Sequence, residues 1–81
     1  MTFPLLVFAI DREIFVGKAE SVSVPGVDGD LQILADHVPL ISQLKEGDMI
    51  IKGEDGMEKK LPILSGVLEV KEKEVVVLVN F

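Results

Sequence analysis

The residues in this 81-residue chain that could do chemistry are few, and most of them gather between Val24 and Leu44. His37, the only histidine, follows Asp36 and stands in the same chain as Ser21, Ser23, Ser42 and Ser65. Histidine is the side chain that titrates near neutrality, so a hydrolytic pairing of His37 with one of these serines is the first chemistry to consider. It requires a pocket, an oxyanion hole and a third group to orient the base, and a chain of this size has little room for a cavity. A turn histidine hydrogen-bonded to nearby backbone, or one touching a partner, is the expectation. Asp28, Asp30 and Asp36 offer hard oxygen ligands, but a helical-type calcium loop needs ligands at alternate positions and a glutamate at the twelfth, which the spacing lacks. They read as turn aspartates. Gly26 to Gly29 is not followed by a Lys-Ser/Thr pair or a helix, so no phosphate cradle is expected there. Catalytic, metal-binding and cofactor-binding residues are therefore expected to be absent.

The elements that must carry these residues are short. Apolar runs alternate with turn chemistry, and none keeps a 3.6-residue period for ten residues, which points to an all-β chain. Strands are expected over Phe3 to Ile10, Ile14 to Val24, Leu31 to Leu34, Pro39 to Leu44, Met49 to Lys52, Glu58 to Leu64, Val67 to Val70 and Val75 to Val79. Met49 to Lys52 should pair with Glu58 to Leu64 across Gly53 to Gly56, and the last two strands should pair across Lys71 to Glu74. Within the second strand Ile14 and Val16 share parity with Val22 and Val24, yet so do Lys18 and Glu20. Either a bulge or bend near Gly17 re-aims the side chains or the middle of the strand is simply exposed. Five consecutive apolar residues at Val75 to Val79 predict a strand buried on both faces. The sum is a flattened two-sheet β-sandwich or barrel of about 8–10 short strands, one domain over residues 1–81.

Composition narrows the partners. Eight basic residues against fourteen acidic ones give a net charge of −6, which disfavours nucleic acid and anionic lipid. No apolar run approaches the ~18 residues of a membrane span, and Met1 to Ile10 lacks the basic start and cleavage site of a signal peptide, so an internal location is expected. With no cysteine, neither disulfides nor thiolate metal sites can staple the fold. Folded surface should be roughly 4,800 Å², so only about 60% of the unfolded chain's surface can be buried and stability should be marginal. A mean hydropathy of +0.43 suggests apolar surface left over for a partner.

Four segments, in order, carry a family likeness: Glu13-Ile14-Phe15-Val16-Gly17, Glu20-Ser21-Val22-Ser23-Val24-Pro25-Gly26, Asp36-His37-Val38-Pro39-Leu40-Ile41 and Leu64-Ser65-Gly66-Val67-Leu68-Glu69-Val70. Together they resemble the amino-terminal β-sandwich of the epsilon subunit of F-type ATP synthases. Gln32, Ala35 and Asp36 depart from the family's usual glycine or small residues, which bears on loop shape and not on fold. The resemblance implies a sandwich of about ten strands and a non-catalytic rotor part at the cytoplasmic face of the bacterial inner membrane. Its implied partners are the gamma subunit and the ring of c subunits, with the alpha and beta subunits reached indirectly. Carried over position by position, Asp30 faces the ring with Asp28, Gly29, Leu31 and Gln32 around it, and His37 and Ser42 face gamma. The chain stops at Phe81, where the family continues into a two-helix domain, so that domain's inhibitory extension and ATP site are not expected. A free-standing β-sandwich that binds a small ligand or peptide is the alternative, and it should show a pocket.

Overall fold

The computed structural model describes residues 1–81 and contains eight strands and no helix. They are β1 (Phe3–Ala9), β2 (Arg12–Gly26), β3 (Gly29–Leu34), β4 (Leu40–Leu44), β5 (Gly47–Gly53), β6 (Glu58–Ile63), β7 (Ser65–Val70) and β8 (Val75–Asn80). All eight predicted strands are present. The expected hairpins form as well: Met49 pairs with Leu61 and Lys52 with Glu58, while β7 pairs with β8 from Ser65–Asn80 to Val70–Val75. Gly47 and Asp48 belong to β5 and not to the preceding turn.

One strand holds the two layers together. The first half of β2 pairs with β1, and β1 continues through β8 and β7 to β4, giving the first sheet. The second half of β2 pairs with β3 on one edge and with β5 on the other, and β5 pairs with β6, giving the second sheet. Gly26 at the end of β2 also meets Leu44 at the end of β4, which closes the flattened barrel at one end. β1 and β8 run parallel and every other pairing is antiparallel.

β2 serves both sheets because it carries two bulges, and neither lies at Gly17. Val7 faces Phe15 and Phe8 faces Glu13, so Ile14 is the extra residue; Ala19 faces Gly53 and Ser21 faces Lys52, so Glu20 is extra. An extra residue reverses which parity points inward. Ala19 is buried before the second bulge, and Val22 and Val24 are buried after it, so the inward set switches from odd to even. This is why Val16 is exposed although it shares parity with Val22. Gly17 pairs in plain register with Leu5, and the ring of Phe15 lies over it.

Sixteen buried apolar side chains form one core, including Leu5, Val7, Leu68 and Val77 from the first sheet and Val22, Ile33, Met49 and Ile51 from the second. No polar or charged side chain is buried, and no buried side-chain polar atom lacks a partner. The fold is therefore held by apolar burial and backbone ladders, with four ion pairs that are all at the surface. The folded surface is 5071 Å², close to the expected scale.

The expectation that β8 is buried on both faces is not met. Val75, Val77 and Val79 face the core, but Val76 is only half-buried and Leu78 is 53% exposed. The reason is layer count: a second sheet covers one face of β8, and nothing in this chain covers the other.

Candidate functional sites: an apolar flank and a polar end

The uncovered face of the first sheet is apolar from strand to strand. Pairing aligns Val67 of β7 with Leu78 of β8 and Phe8 of β1, and the next row aligns Val76 with Leu6 and Val16. Glu69 interrupts the second row, between Ile41 and Val76, and Gln43 beside Val67 and Glu13 beside Phe8 bound the first. Val16, Ile41, Val67 and Leu78 are exposed, and Leu6, Phe8 and Val76 are half-buried. The outer face of the second sheet differs: Gln32, Ser23, Ile50 and Lys60 form one row, and Leu34, Ser21, Lys52 and Glu58 form the next. Two outer faces of one sandwich thus have opposite character. Sequence reasoning anticipated leftover apolar surface without locating it; the signal was the apolar filling of both parities in β8.

The β2–β3 hairpin lies at the end where the barrel closes. Val27 and Asp28 make its turn, and Gly29 at φ 129° returns the chain, a conformation that L side chains rarely adopt. Asp28, Gly29, Asp30 and Gln32 are exposed, and Leu31 is half-buried against the core. Two backbone bonds anchor this hairpin to the β4–β5 link: the Val27 N–H donates to the Gln43 carbonyl and the Lys45 N–H donates to the Pro25 carbonyl, each at 2.9 Å. Asp30 and Gln32 consequently share an open hollow with Lys45, Glu46 and Asp48. Asp48 is paired with Lys60 at 3.6 Å. The Asp30 carboxylate has neither an ion pair nor a side-chain hydrogen bond. At the same end, the Arg12 guanidinium lies 5.2 Å from the centre of the Phe81 ring, and Ile10 and Leu64 are exposed.

His37 sits at the opposite end, in the link from β3 to β4, beside Met1, Phe3 and the Lys71–Glu74 tip. Its Nδ1 lies 2.8 Å from the Val38 carbonyl, so that nitrogen carries the proton and donates to backbone. Asp36 before it holds φ 64°, the left-handed position where the resemblance expects glycine. Ser42 lies on the core-directed side of β4, between Leu40 and Leu44, and its hydroxyl is near Gly26 at the hairpin end. His37 and Ser42 are therefore not brought together. Ser65 pairs with Asn80 at the hairpin end, far along the barrel from His37, and Ser21 and Ser23 point out from the second sheet. No arrangement of nucleophile and base results.

Gly66, in the core-facing row between Leu44 and Val79, shows how closely β7 packs on β8. A Cβ there would strike the Leu78 carbonyl oxygen and touch Leu44 Cδ1 at 3.4 Å, so only glycine lets β7 approach β8 this closely.

With this geometry in place, the comparisons with known proteins are specific. Residues 2–81 match the family model described as the ATP synthase delta/epsilon chain β-sandwich domain. The ATP synthase epsilon chain of Dichelobacter nodosus is 34% identical over 82 residues, which cover 99% of this chain and 57% of that protein. Among solved structures, a chain of the Euglena gracilis mitochondrial ATP synthase OSCP/F1/c-ring assembly superposes with a TM-score of 0.91 at 20% identity, covering 99% of this chain and 51% of that one. A chain of the Tetrahymena thermophila mitochondrial ATP synthase central stalk and c-ring superposes with a TM-score of 0.81 at 10% identity, covering 100% and 65%. At those identities the structural likeness speaks for the fold alone. The chain spans little more than half the length of the Dichelobacter relative.

Proposed function

Because this chain belongs to the ATP synthase delta/epsilon chain β-sandwich family, we propose that it is a non-catalytic subunit of the central stalk of an F-type ATP synthase. In this reading it binds the gamma subunit and the c-subunit ring and helps transmit ion-driven rotation to the catalytic subunits. The observation that carries the proposal is the asymmetry of the two outer faces. An apolar flank built from Val67, Leu78, Val76, Leu6, Phe8 and Val16 serves as a seat for gamma, while the polar hairpin end serves as a foot on the ring.

The physical division of labour follows from the surfaces. The flank supplies non-directional adhesion in proportion to apolar area removed from water. The exposed, unpaired Asp30 carboxylate supplies direction: it can meet a basic residue on the ring and fix rotational register, with Asp28, Gly29, Leu31 and Gln32 shaping the contact. His37, in the link leading to β4, is proposed as an orienting contact beside Ile41, while Ser42, on the other side of β4, is proposed to act by positioning that strand against the Gly26 hairpin end. Location follows from assembly: the chain sits peripherally, at the cytoplasmic face of a bacterial inner membrane, through its contact with the ring.

A ligand-binding module would need an enclosed site. The largest hollow, about 640 Å³, is instead lined by exposed polar side chains, Asp30, Gln32, Lys45, Glu46 and Asp48 among them. The test is co-purification with the matching gamma subunit and c ring. A stable complex with gamma is expected, and no binding between folded partners overturns the reading.

A further inference from the structure

The free edges of the sheets are unequally defended. β6, one edge of the second sheet, carries exposed Lys59, Lys60 and Pro62, which oppose the addition of another strand. The outer edge of β4 follows Pro39, and its Gln43 carbonyl is already taken by the Val27 N–H. β3, the other edge of the second sheet, pairs only with β2 and reads Gly29-Asp30-Leu31-Gln32-Ile33-Leu34, with no lysine, arginine or proline. Its outward backbone groups have no partner in the chain.

We infer that the β3 edge pairs with the β3 edge of a second copy of this chain, antiparallel and centred on Gln32. The sequence of the edge is self-complementary in that register. Gln32 faces its own copy and the two amides can bond to each other; Leu31 faces Ile33, continuing the core across the axis; Asp30 faces Leu34, which is 53% exposed in the single chain. Keeping each residue on the same sheet face requires even steps of register. Centring on Leu31 would bring the two Asp30 residues within two positions of each other. Centring on Gln32 keeps them four positions apart, about 13 Å at the strand rise and beyond the ~8 Å screening length at physiological salt. Centring on Ile33 would instead set Asp30 opposite Asp36 twice, so charge selects the Gln32 register. Because the opposite edge of the same sheet is blocked by Lys59, Lys60 and Pro62, pairing closes as a two-fold dimer and does not propagate.

The pairing covers Asp30 and Gln32. If the proposed stalk function holds, a free copy therefore caps its own ring-facing loop until it is assembled. Self-association itself is measured on the isolated chain without ring or gamma, so failure of the one reading leaves the other standing.

The experiment is sedimentation equilibrium of the 81-residue chain up to about 1 mM at low and moderate salt, with three variants whose folding is checked by thermal melting. The parent should form a monomer–dimer equilibrium that tightens as salt screens the net charge of −6 on each copy. Gln32→Lys opposes two like charges at the axis and should weaken the dimer roughly fivefold, whereas Leu34→Lys sets a lysine against Asp30 twice and should tighten it by a similar factor. Leu78→Lys, on the other sheet's flank, should leave it unchanged. A parent that stays monomeric, a dimer indifferent to residues 32 and 34, or one abolished by Leu78→Lys overturns the inference.

Discussion

Replacing Leu78 by lysine separates folding from binding. Leu78 lies between Phe8 and Val67 on the outer face and is 53% exposed, while its neighbours Val77 and Val79 hold the core at 0% and 6% exposure. Full burial of a leucine contributes about 1.5–3 kcal/mol, so roughly 1 kcal/mol is already realised in the fold and roughly 1 kcal/mol is left for a partner. A lysine stem keeps much of the contact with Phe8 and Val67 while its ammonium reaches water. Folding should therefore lose under about 1 kcal/mol, a fall in Tm of less than ~8 °C for a domain of this size. In a complex with gamma the ammonium must be desolvated, at an effective cost of several kcal/mol, on top of the lost apolar contact. The sum is at least about 3 kcal/mol, or more than 100-fold in Kd. Titration calorimetry against folded gamma reads this directly, with Ile50→Lys on the polar face of the second sheet as the control that should bind normally. A Leu78→Lys chain that melts like its parent and binds gamma within threefold of the parent Kd would refute the assignment of the flank.

Three further outcomes follow from single positions. Asp30→Lys should leave the melting temperature within a few degrees, since the carboxylate is exposed and unpaired and surface charges contribute only ~0–1 kcal/mol; seating on the c ring should weaken, and a large fall in Tm would show the residue to be structural. Leu68→Ala empties a fully buried site between the sheets and should cost about 2–5 kcal/mol, read by chemical denaturation; a cost below ~1 kcal/mol would mean the core is not packed as described. Asp36→Val forces a β-branched residue to φ 64° and should destabilise by about 1–2 kcal/mol, whereas Asp36→Gly should be tolerated; equal stability of the two would exclude a left-handed conformation before His37.

Much of the fold was legible because β structure announces itself locally. Short apolar runs between turn residues located all eight strands, and Gly53 to Gly56 marked its hairpin through turn chemistry alone. The β2 bulges were not legible. An irregularity in the parity of Ile14 to Val24 was visible, but its position depended on how β1 and β5 seat against the two edges of β2. The extra residues proved to be Ile14 and Glu20, not a residue at the more suggestive Gly17. The closing strand misled for a related reason: Val75 to Val79 looks the same whether its second face meets another layer of this chain or is left open.

The amino-acid order by itself determined that this chain is all-β, cysteine-free and acidic, and that it carries the ordered segments of the delta/epsilon sandwich family, because strand propensity, turn chemistry and composition act over a few neighbouring residues. Only the tertiary structure decided which apolar residues are left outside, that His37 and the Asp28–Asp30 turn occupy opposite ends, and that Asp30 shares its surface with Lys45, Glu46 and Asp48. Those are products of pairing between strands distant in the chain. A side chain's exposure depends on which layer lies across from it, and no window of sequence contains that layer.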